Sequence, residues 1–181
     1  PLMGLIDDPS LQKKASEIFV NHHYPKSHTL PKLTRYSKHP KIRIGYFSAD
    51  FKIHPTAFLT AELYELHDRE EFEIHAFSFG PDTNDEMNLR IKAGVDHFHD
   101  VREMSHKDLA MFARSLEIDI AVDLGGFTGN SRPKVFAMRA APLQVNYLVF
   151  PGTMCANYIE YIIADRILIP KNKQKHYSEK I

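Results

Sequence analysis

Short apolar runs alternate with amphipathic segments along most of this chain. Six runs rich in β-branched and aromatic residues predict strands at 41–47, 72–79, 95–99, 118–124, 143–150 and 161–164. Apolar residues three or four positions apart predict helices between them, with Thr83 and Glu86 as a capping box for one and Ser105 as the start of another. Strands alternating with helices predict an α/β domain, a Rossmann-like open parallel sheet with helices on both faces.

The first 40 residues have a different pattern. Residues 11–20 carry an apolar stripe that predicts a helix, with Ser10 as its cap. Residues 21–40 hold prolines and histidines without apolar periodicity, which is typical of an extended linker. We therefore predict a helix and linker over 1–40 and the Rossmann-like domain over 41–181.

Composition narrows the class of protein. The 23 basic and 23 acidic residues balance, so no overall field favours nucleic acid or an anionic membrane. With no long apolar run, no leader and Cys155 as the single cysteine, the sequence predicts a cytoplasmic protein without a membrane span. The 11 histidines show no metal-ligand spacing along the chain, so we expect no metal. The chain starts at Pro1 and stops without a closing element, which indicates an excerpt of a longer protein.

Candidate chemistry lies where open α/β sheets place it, at the carboxyl ends of strands. Asp50 and His54 follow the first strand, and the glycine-rich residues 125–130 follow the fourth. The dinucleotide fingerprint, the P-loop and the G-x-S-x-G elbow are missing. Each candidate has a structural alternative: Asp50 could cap a turn, His54 could cap the next helix, and the glycines could form a tight turn instead of approaching a ligand.

Three ordered blocks carry a resemblance to a known family. They are GYFSADFKIHPTAFL after the first 44 residues, the long block from DLGGFTGNSRPKVF to NYIEYIIAD, and the closing YSEK. Together they resemble the start of the catalytic region of protein O-GlcNAc transferases, in the same order and at similar spacing. The resemblance covers residues 41–181, and we expect a relative of bacterial type.

The resemblance implies a GT-B glycosyltransferase, in which two Rossmann-like domains enclose the active site and this chain is the first of them. It further implies transfer of GlcNAc from UDP-GlcNAc to Ser or Thr hydroxyls of proteins, with inversion and without a metal or other cofactor. The second, nucleotide-binding domain and the upstream tetratricopeptide repeats would then lie outside this chain, and the chain alone would be inactive.

The resemblance also assigns roles to individual residues. Asp50 matches an aspartate proposed to help remove the acceptor proton. His54, the second expected catalytic residue, belongs with Pro55 and Thr56 to the H-P-T that borders the donor sugar and its phosphates. Carboxylates and imidazoles are suitable bases for such a step when they reach the proton. The residues matched to positions near the donor sugar and its phosphates are Pro55, Thr56, Leu148, Val149, Pro151 and Gly152.

Departures from the family pattern leave alternatives open. Val149 stands where the family usually has glycine beside the sugar, Phe150 replaces a tyrosine, and Ala140 replaces a proline. A side chain at Val149 could shift the donor preference. The alternatives are therefore a related glycosyltransferase with another UDP-sugar donor or an N-linked acceptor, and a non-catalytic α/β module that binds proteins.

Overall fold

The computed structural model describes residues 5–34 and 36–181. Six strands form one sheet in the order β3-β2-β1-β4-β5-β6, and every neighbouring pair is parallel. The prediction of an open parallel sheet is confirmed, and the strand order reverses between β1 and β4, as in a doubly wound fold. The strands are β1 (Ile42–Ser48), β2 (Phe72–Ser78), β3 (His97–Asp100), β4 (Ile120–Asp123), β5 (Leu143–Tyr147) and β6 (Tyr161–Ile163).

Helices cover both faces of the sheet, as predicted. Alternate strand residues point to opposite faces, so Tyr46 packs with α2 and α3 whereas the next residue, Phe47, packs with α4 and α5. Each face has its own buried core, and β1 at the centre contributes to both. The helices are α1 (Pro9–His23), α2 (Pro55–Leu66), α3 (Glu86–Gly94), α4 (His106–Ser115), α5 (Pro133–Ala137) and a 3₁₀ turn, Gln174–His176.

Two predicted helix starts are wrong and one is right. The Asp8 side chain caps α1 by accepting from the Ser10 and Leu11 N–H groups, so Ser10 lies inside the helix. Asp85, not Thr83, caps α3 by accepting from the Asn88 N–H. In both cases a carboxylate two residues from the predicted cap reaches the free N–H groups.

Ser105 begins α4 as predicted, and its hydroxyl accepts from the Asp108 N–H. The fifth strand ends at Tyr147 and not at residue 150, because the chain turns at Leu148, where φ is 75°.

The segment before β1 lies against the sheet domain. Val20 of α1 is buried in the core beneath α4 and α5, and Tyr24 and Leu30 pack at its margin. The Ser27 N–H also donates to the Ala137 carbonyl. Residues 1–4 and 35 of the predicted helix-and-linker region lie outside the described residues, and the division of the chain at residue 40 stays a prediction. None of the helices in the described ranges combines the length and the apolar character that crossing a membrane requires.

Candidate functional site

The candidate residues lie at one edge of the sheet, which we call the carboxyl edge. It consists of the β1 loop (residues 49–54), the β4 loop (124–132) and the β5 loop (148–154), which follow three adjacent strands. Neighbouring strands are about 4.8 Å apart, so the ends of β1 and β5 are separated by about 10 Å. The structure therefore brings the predicted residues of both loops to the same edge, at the point where the strand order reverses.

Asp50 stands in the β1 loop with a side chain that is 23% exposed. Its N–H donates to the Ser48 hydroxyl oxygen at 2.9 Å, which fixes the backbone as it leaves β1. One carboxylate oxygen lies 3.8 Å from Nδ1 of His54, too far for a hydrogen bond. The Asp50 carboxylate thus stays accessible to a proton donor that enters from solvent.

His54 caps α2, which is the structural alternative considered for it. Its Nδ1 accepts from the Thr56 N–H at 3.3 Å and lies 3.1 Å from the Thr56 hydroxyl, while Pro55 occupies the first helical turn. A neutral imidazole whose Nδ1 accepts carries its proton on Nε2. The cap therefore prepares Nε2–H as a donor toward a ligand, and leaves Asp50 as the better proton acceptor of the pair.

The β4 loop is a tight turn and not an open cradle for an anion. The N–H groups of Gly125 and Gly126 both donate to one carboxylate oxygen of Asp123, at 2.8 and 3.1 Å. Gly126 has φ of 54°, and a Cβ there would lie 2.4 Å from the Cβ of Phe150. These glycines let the β4 loop pack directly against the β5 loop.

Asp123 is a titratable residue that the sequence did not reveal as unusual. Burial raises its pKa to about 6, although the N–H groups of Gly125 and Gly126 act in the opposite direction. Within the described part of the chain, its second carboxylate oxygen has no hydrogen-bond partner. The only signal in the sequence was its place as the last residue of β4.

The β5 loop begins with a strained turn. Leu148 has φ of 75°, and the Val149 N–H donates to the Tyr147 carbonyl at 3.1 Å, which closes a three-residue turn around it. The side-chain amide of buried Asn146 holds the next bend by donating to the Phe150 carbonyl at 2.9 Å. A left-handed conformation at a leucine costs about 1–3 kcal/mol and is concentrated at functional sites.

The rest of the β5 loop is held by residues about 25 positions further along the chain. The carboxylate of Glu179, which is 5% exposed, accepts from the Thr153 hydroxyl at 2.6 Å and from the Met154 N–H at 2.8 Å. The Tyr177 hydroxyl donates to the Pro151 carbonyl at 2.8 Å, and Gly152, the next residue, is buried. The YSEK segment therefore positions the loop, a role for Glu179 that the sequence motif alone did not indicate.

Two cavities lie at opposite ends of the sheet, and a third, of about 310 Å³, is lined in part by the candidate residue Gly152. One of about 320 Å³ lies beside the β1 loop, with Lys52, Arg102 and Arg132 in its wall. Another, of about 510 Å³, lies at the opposite edge, near Pro40 and Asp119. Neither of the first two is lined by Asp50, His54 or Leu148, whose side chains are partly exposed at the carboxyl edge.

Among the described residues, three side chains on β2 and β3 lie close enough in space to act as metal ligands. Ligand atoms of Glu73, His75 and His97 lie within 4.8 Å of one another. Burial lowers the pKa of His75, and it lowers the pKa of the adjacent His99 to about 4, so both rings are neutral near pH 7.

Comparisons with known proteins agree on one family. The model of glycosyl transferase family 41 matches residues 14–181. A probable UDP-N-acetylglucosamine–peptide N-acetylglucosaminyltransferase (SEC) of Arabidopsis thaliana is 38% identical over 141 residues, which are 78% of this chain and 14% of that protein. A UDP-N-acetylglucosamine–peptide N-acetylglucosaminyltransferase of Caenorhabditis elegans is 33% identical over 144 residues, 78% of this chain and 12% of that protein.

The fold has a solved counterpart. The structure of a mutant O-GlcNAc transferase from Thermobaculum terrenum matches with a TM-score of 0.88 at 29% identity, covering 97% of this chain and 34% of that one. The chain thus spans only a minor part of each of these relatives, which come from a plant, an animal and a bacterium. The resemblance to protein O-GlcNAc transferases is confirmed, and the chain belongs to glycosyl transferase family 41.

Proposed function

We propose that this chain supplies the N-terminal half of the catalytic region of an enzyme that moves GlcNAc from UDP-GlcNAc to Ser or Thr hydroxyls of proteins. The observation that carries the proposal is the carboxyl edge itself. Asp50 and the capped His54 lie about two strand spacings from the strained turn at Leu148, in a chain that the family model matches from residue 14 to its end. The names of the relatives support this donor and a peptide acceptor.

Asp50 is the proposed proton acceptor in an inverting transfer. The acceptor hydroxyl oxygen forms a bond to the anomeric carbon of GlcNAc while the bond from that carbon to the β-phosphate oxygen breaks. The hydroxyl proton passes to the Asp50 carboxylate, directly or through a water molecule, and UDP leaves with the bonding electron pair. The Nε2–H of His54 is the proposed donor of a hydrogen bond toward the sugar or a phosphate oxygen.

The open carboxyl edge supports a division of labour with a second domain. A second α/β domain of the same protein would cover the β1 and β5 loops and bind the diphosphate, and on this proposal transfer proceeds without a metal ion. Residues 1–40 would lead from upstream tetratricopeptide repeats, in a cytoplasmic protein that binds neither nucleic acid nor membrane. On this proposal the 181-residue chain alone transfers no sugar.

Val149 favours a second candidate, a related transferase with another UDP-sugar donor. Its side chain is half-buried directly after the strained Leu148, where a glycine would leave open space. An N-linked acceptor belongs to the same group of alternatives. Competition of labelled UDP-GlcNAc with unlabelled UDP-sugars separates these donors, and analysis of the modified side chain separates the acceptors.

The test of the main proposal is sugar transfer by the intact protein from labelled UDP-GlcNAc to proteins of its own cell lysate. We expect Asp50→Asn to lower kcat by about 10²–10⁴-fold, the usual contribution of a general base. The matched control is Glu62→Gln, because Glu62 is an exposed carboxylate on the following helix. Its expected effect is less than about twofold, since it is remote from the reacting atoms.

Other outcomes change the proposal in defined ways. Full activity of Asp50→Asn would leave an enzyme but remove Asp50 as the base. Transfer from another UDP-sugar alone would establish the second candidate. A folded intact protein that transfers no sugar would indicate the non-catalytic protein-binding module.

A further inference from the structure

One face of the sheet gathers ionisable side chains that lie far apart in the sequence. In the parallel pairing of β2 with β3, His75 is opposite His97 and Phe77 is opposite His99. Glu73 lies two residues before His75, so it points to the same face of the sheet. The pairing thus creates a cluster, which we call the edge cluster, of Glu73, His75, His97 and His99.

The ligand atoms of the edge cluster converge on one point. Oε1 of Glu73 is 2.8 Å from Nε2 of His75 and 3.5 Å from Nε2 of His97, and all three atoms lie within 4.8 Å of one another. A tetrahedral zinc ion with ligands at 2.0–2.1 Å separates its ligand atoms by about 3.3 Å. Small side-chain movements are therefore enough to place the three atoms around an ion.

His99 completes the arrangement as a support for His75. Its Nε2 lies 3.0 Å from Nδ1 of His75, and the two rings are nearly parallel. Without an ion, His75 donates Nε2–H to Glu73 and accepts at Nδ1 from His99. With an ion on Nε2, the proton moves to Nδ1 and the direction of the bond to His99 reverses. Metal-bound histidines usually have such a partner on the other nitrogen.

Exposure and charge allow an ion to enter. His75 is 3% exposed at the base of the cluster, whereas the His97 side chain is 51% exposed and Glu73 28%, so the outer side of the site faces solvent. Arg43 opposes a cation, with Nε 3.7 Å from Glu73 Oε1, but its other end is turned toward Glu117 at 3.3 Å. Glu73 and Glu117 together more than balance this one positive charge.

We propose that Glu73, His75 and His97 bind one divalent transition-metal ion, zinc above others, with water in the remaining position. Two imidazoles and one carboxylate form a ligand set suited to zinc, and the open fourth position fits the exposed side of the cluster. The ion would tie the edge strand β3 to β2. Glu73 and His75 lie five and three residues before the end of β2, about 17 and 10 Å from the carboxyl edge, so the ion takes no part in the proposed sugar transfer.

The test uses the intact protein, freed of metal by chelation and titrated with Co²⁺, whose visible absorption reports its ligands. We expect one saturable site with a four- or five-coordinate spectrum, from which Zn²⁺ displaces Co²⁺. His97→Gln and Glu73→Gln should each weaken Zn²⁺ binding at least about 100-fold, because each removes a direct ligand. His22→Gln is the matched control, since His22 belongs to the exposed His22–His23 pair on α1.

A second readout is thermal unfolding. Zinc at about 100 times its Kd should raise Tm by about 5 °C or more in the wild-type protein and in His22→Gln, and not in His97→Gln. The proposal is overturned if no saturable site is found. It is equally overturned if both His97→Gln and Glu73→Gln retain the site, or if His22→Gln alone abolishes it.

Discussion

The β1 and β5 loops meet at the same edge of the sheet but are held in different ways. In the β1 loop, the contacts of the two candidate residues are local: Ser48 fixes the backbone of Asp50, and His54 bonds to Thr56 two residues later. The backbone between them is also anchored to α3, where Asp85 accepts from the Ile53 N–H and Asn88 donates to the Phe51 carbonyl. The β5 loop depends on distant partners, since Glu179 accepts from Thr153 and from the residue after it, across 25 or 26 positions.

The two loops therefore differ in what they contribute: the β1 loop contributes side chains that can react, and the β5 loop contributes a fixed backbone conformation. The β1 loop presents the Asp50 carboxylate just after β1 and the His54 imidazole at the start of α2, and the polar contacts of both side chains are with residues two to four positions away. The β5 loop offers a backbone that is bent at Leu148, and that conformation survives only because buried contacts surround it. We therefore expect substitutions in the two regions to affect different measurements: catalysis for the β1 loop, stability for the contacts around the β5 loop.

The largest effect on stability is expected for Glu179→Ala. It leaves the Met154 N–H buried without an acceptor and takes the charged acceptor from the Thr153 hydroxyl, which keeps the Ser178 hydroxyl at 3.1 Å as its nearest partner. Together these losses cost about 3 kcal/mol in the free energy of unfolding. Denaturant unfolding measures this loss. Glu103→Ala, which removes an exposed carboxylate, is the control and should change stability by less than about 0.5 kcal/mol. Equal values for both variants would show that the β5 loop does not depend on its distant partner.

Gly126→Ala tests the contact between the β4 and β5 loops. The new methyl group would meet Phe150 at 2.4 Å in a backbone of positive φ, which should destabilise the protein by about 2 kcal/mol. Gly129 of the same loop provides the matched control, because no described atom lies within 4 Å of a Cβ placed there. Gly129→Ala should be neutral or stabilise by up to about 1 kcal/mol. Similar losses of stability in both variants would mean that alanine disturbs the β4 loop itself and not its contact with Phe150.

The sequence predicted the features of the fold that depend on residues close together along the chain. Periodicity gave the six strands, their parallel arrangement and the two helical layers, and the Ser105 cap was visible because its partner lies three residues away. The place of Asp50 and His54 at a strand end followed from the same pattern, while their catalytic roles stay predictions.

What the sequence could not give depends on contacts between distant positions. The left-handed Leu148 has no sequence signal, because leucine is not a residue that favours positive φ. The edge cluster was not predicted from the sequence for a similar reason: His75 and His97 are 22 residues apart and meet only through the register of β2 with β3. Spacing along the chain indicates ligands on one element and says little about ligands shared between two strands.

The smallest effect on stability, and the sharpest test of the comparison, is expected in the β1 loop at His54. His54→Ala removes the cap of α2 and should cost about 1 kcal/mol, whereas His54→Asn supplies a good capping residue and should cost less than about 0.5 kcal/mol. Both variants lose the Nε2–H donor, so both should lower kcat for sugar transfer by the intact protein about 10–100-fold, as expected for a lost hydrogen bond to a charged group. If asparagine restored transfer together with stability, His54 would be a helix cap alone. If it restored stability and left transfer low, one substitution would separate the chemistry of the β1 loop from its structure. The distant contacts that hold the β5 loop do not permit such a separation there.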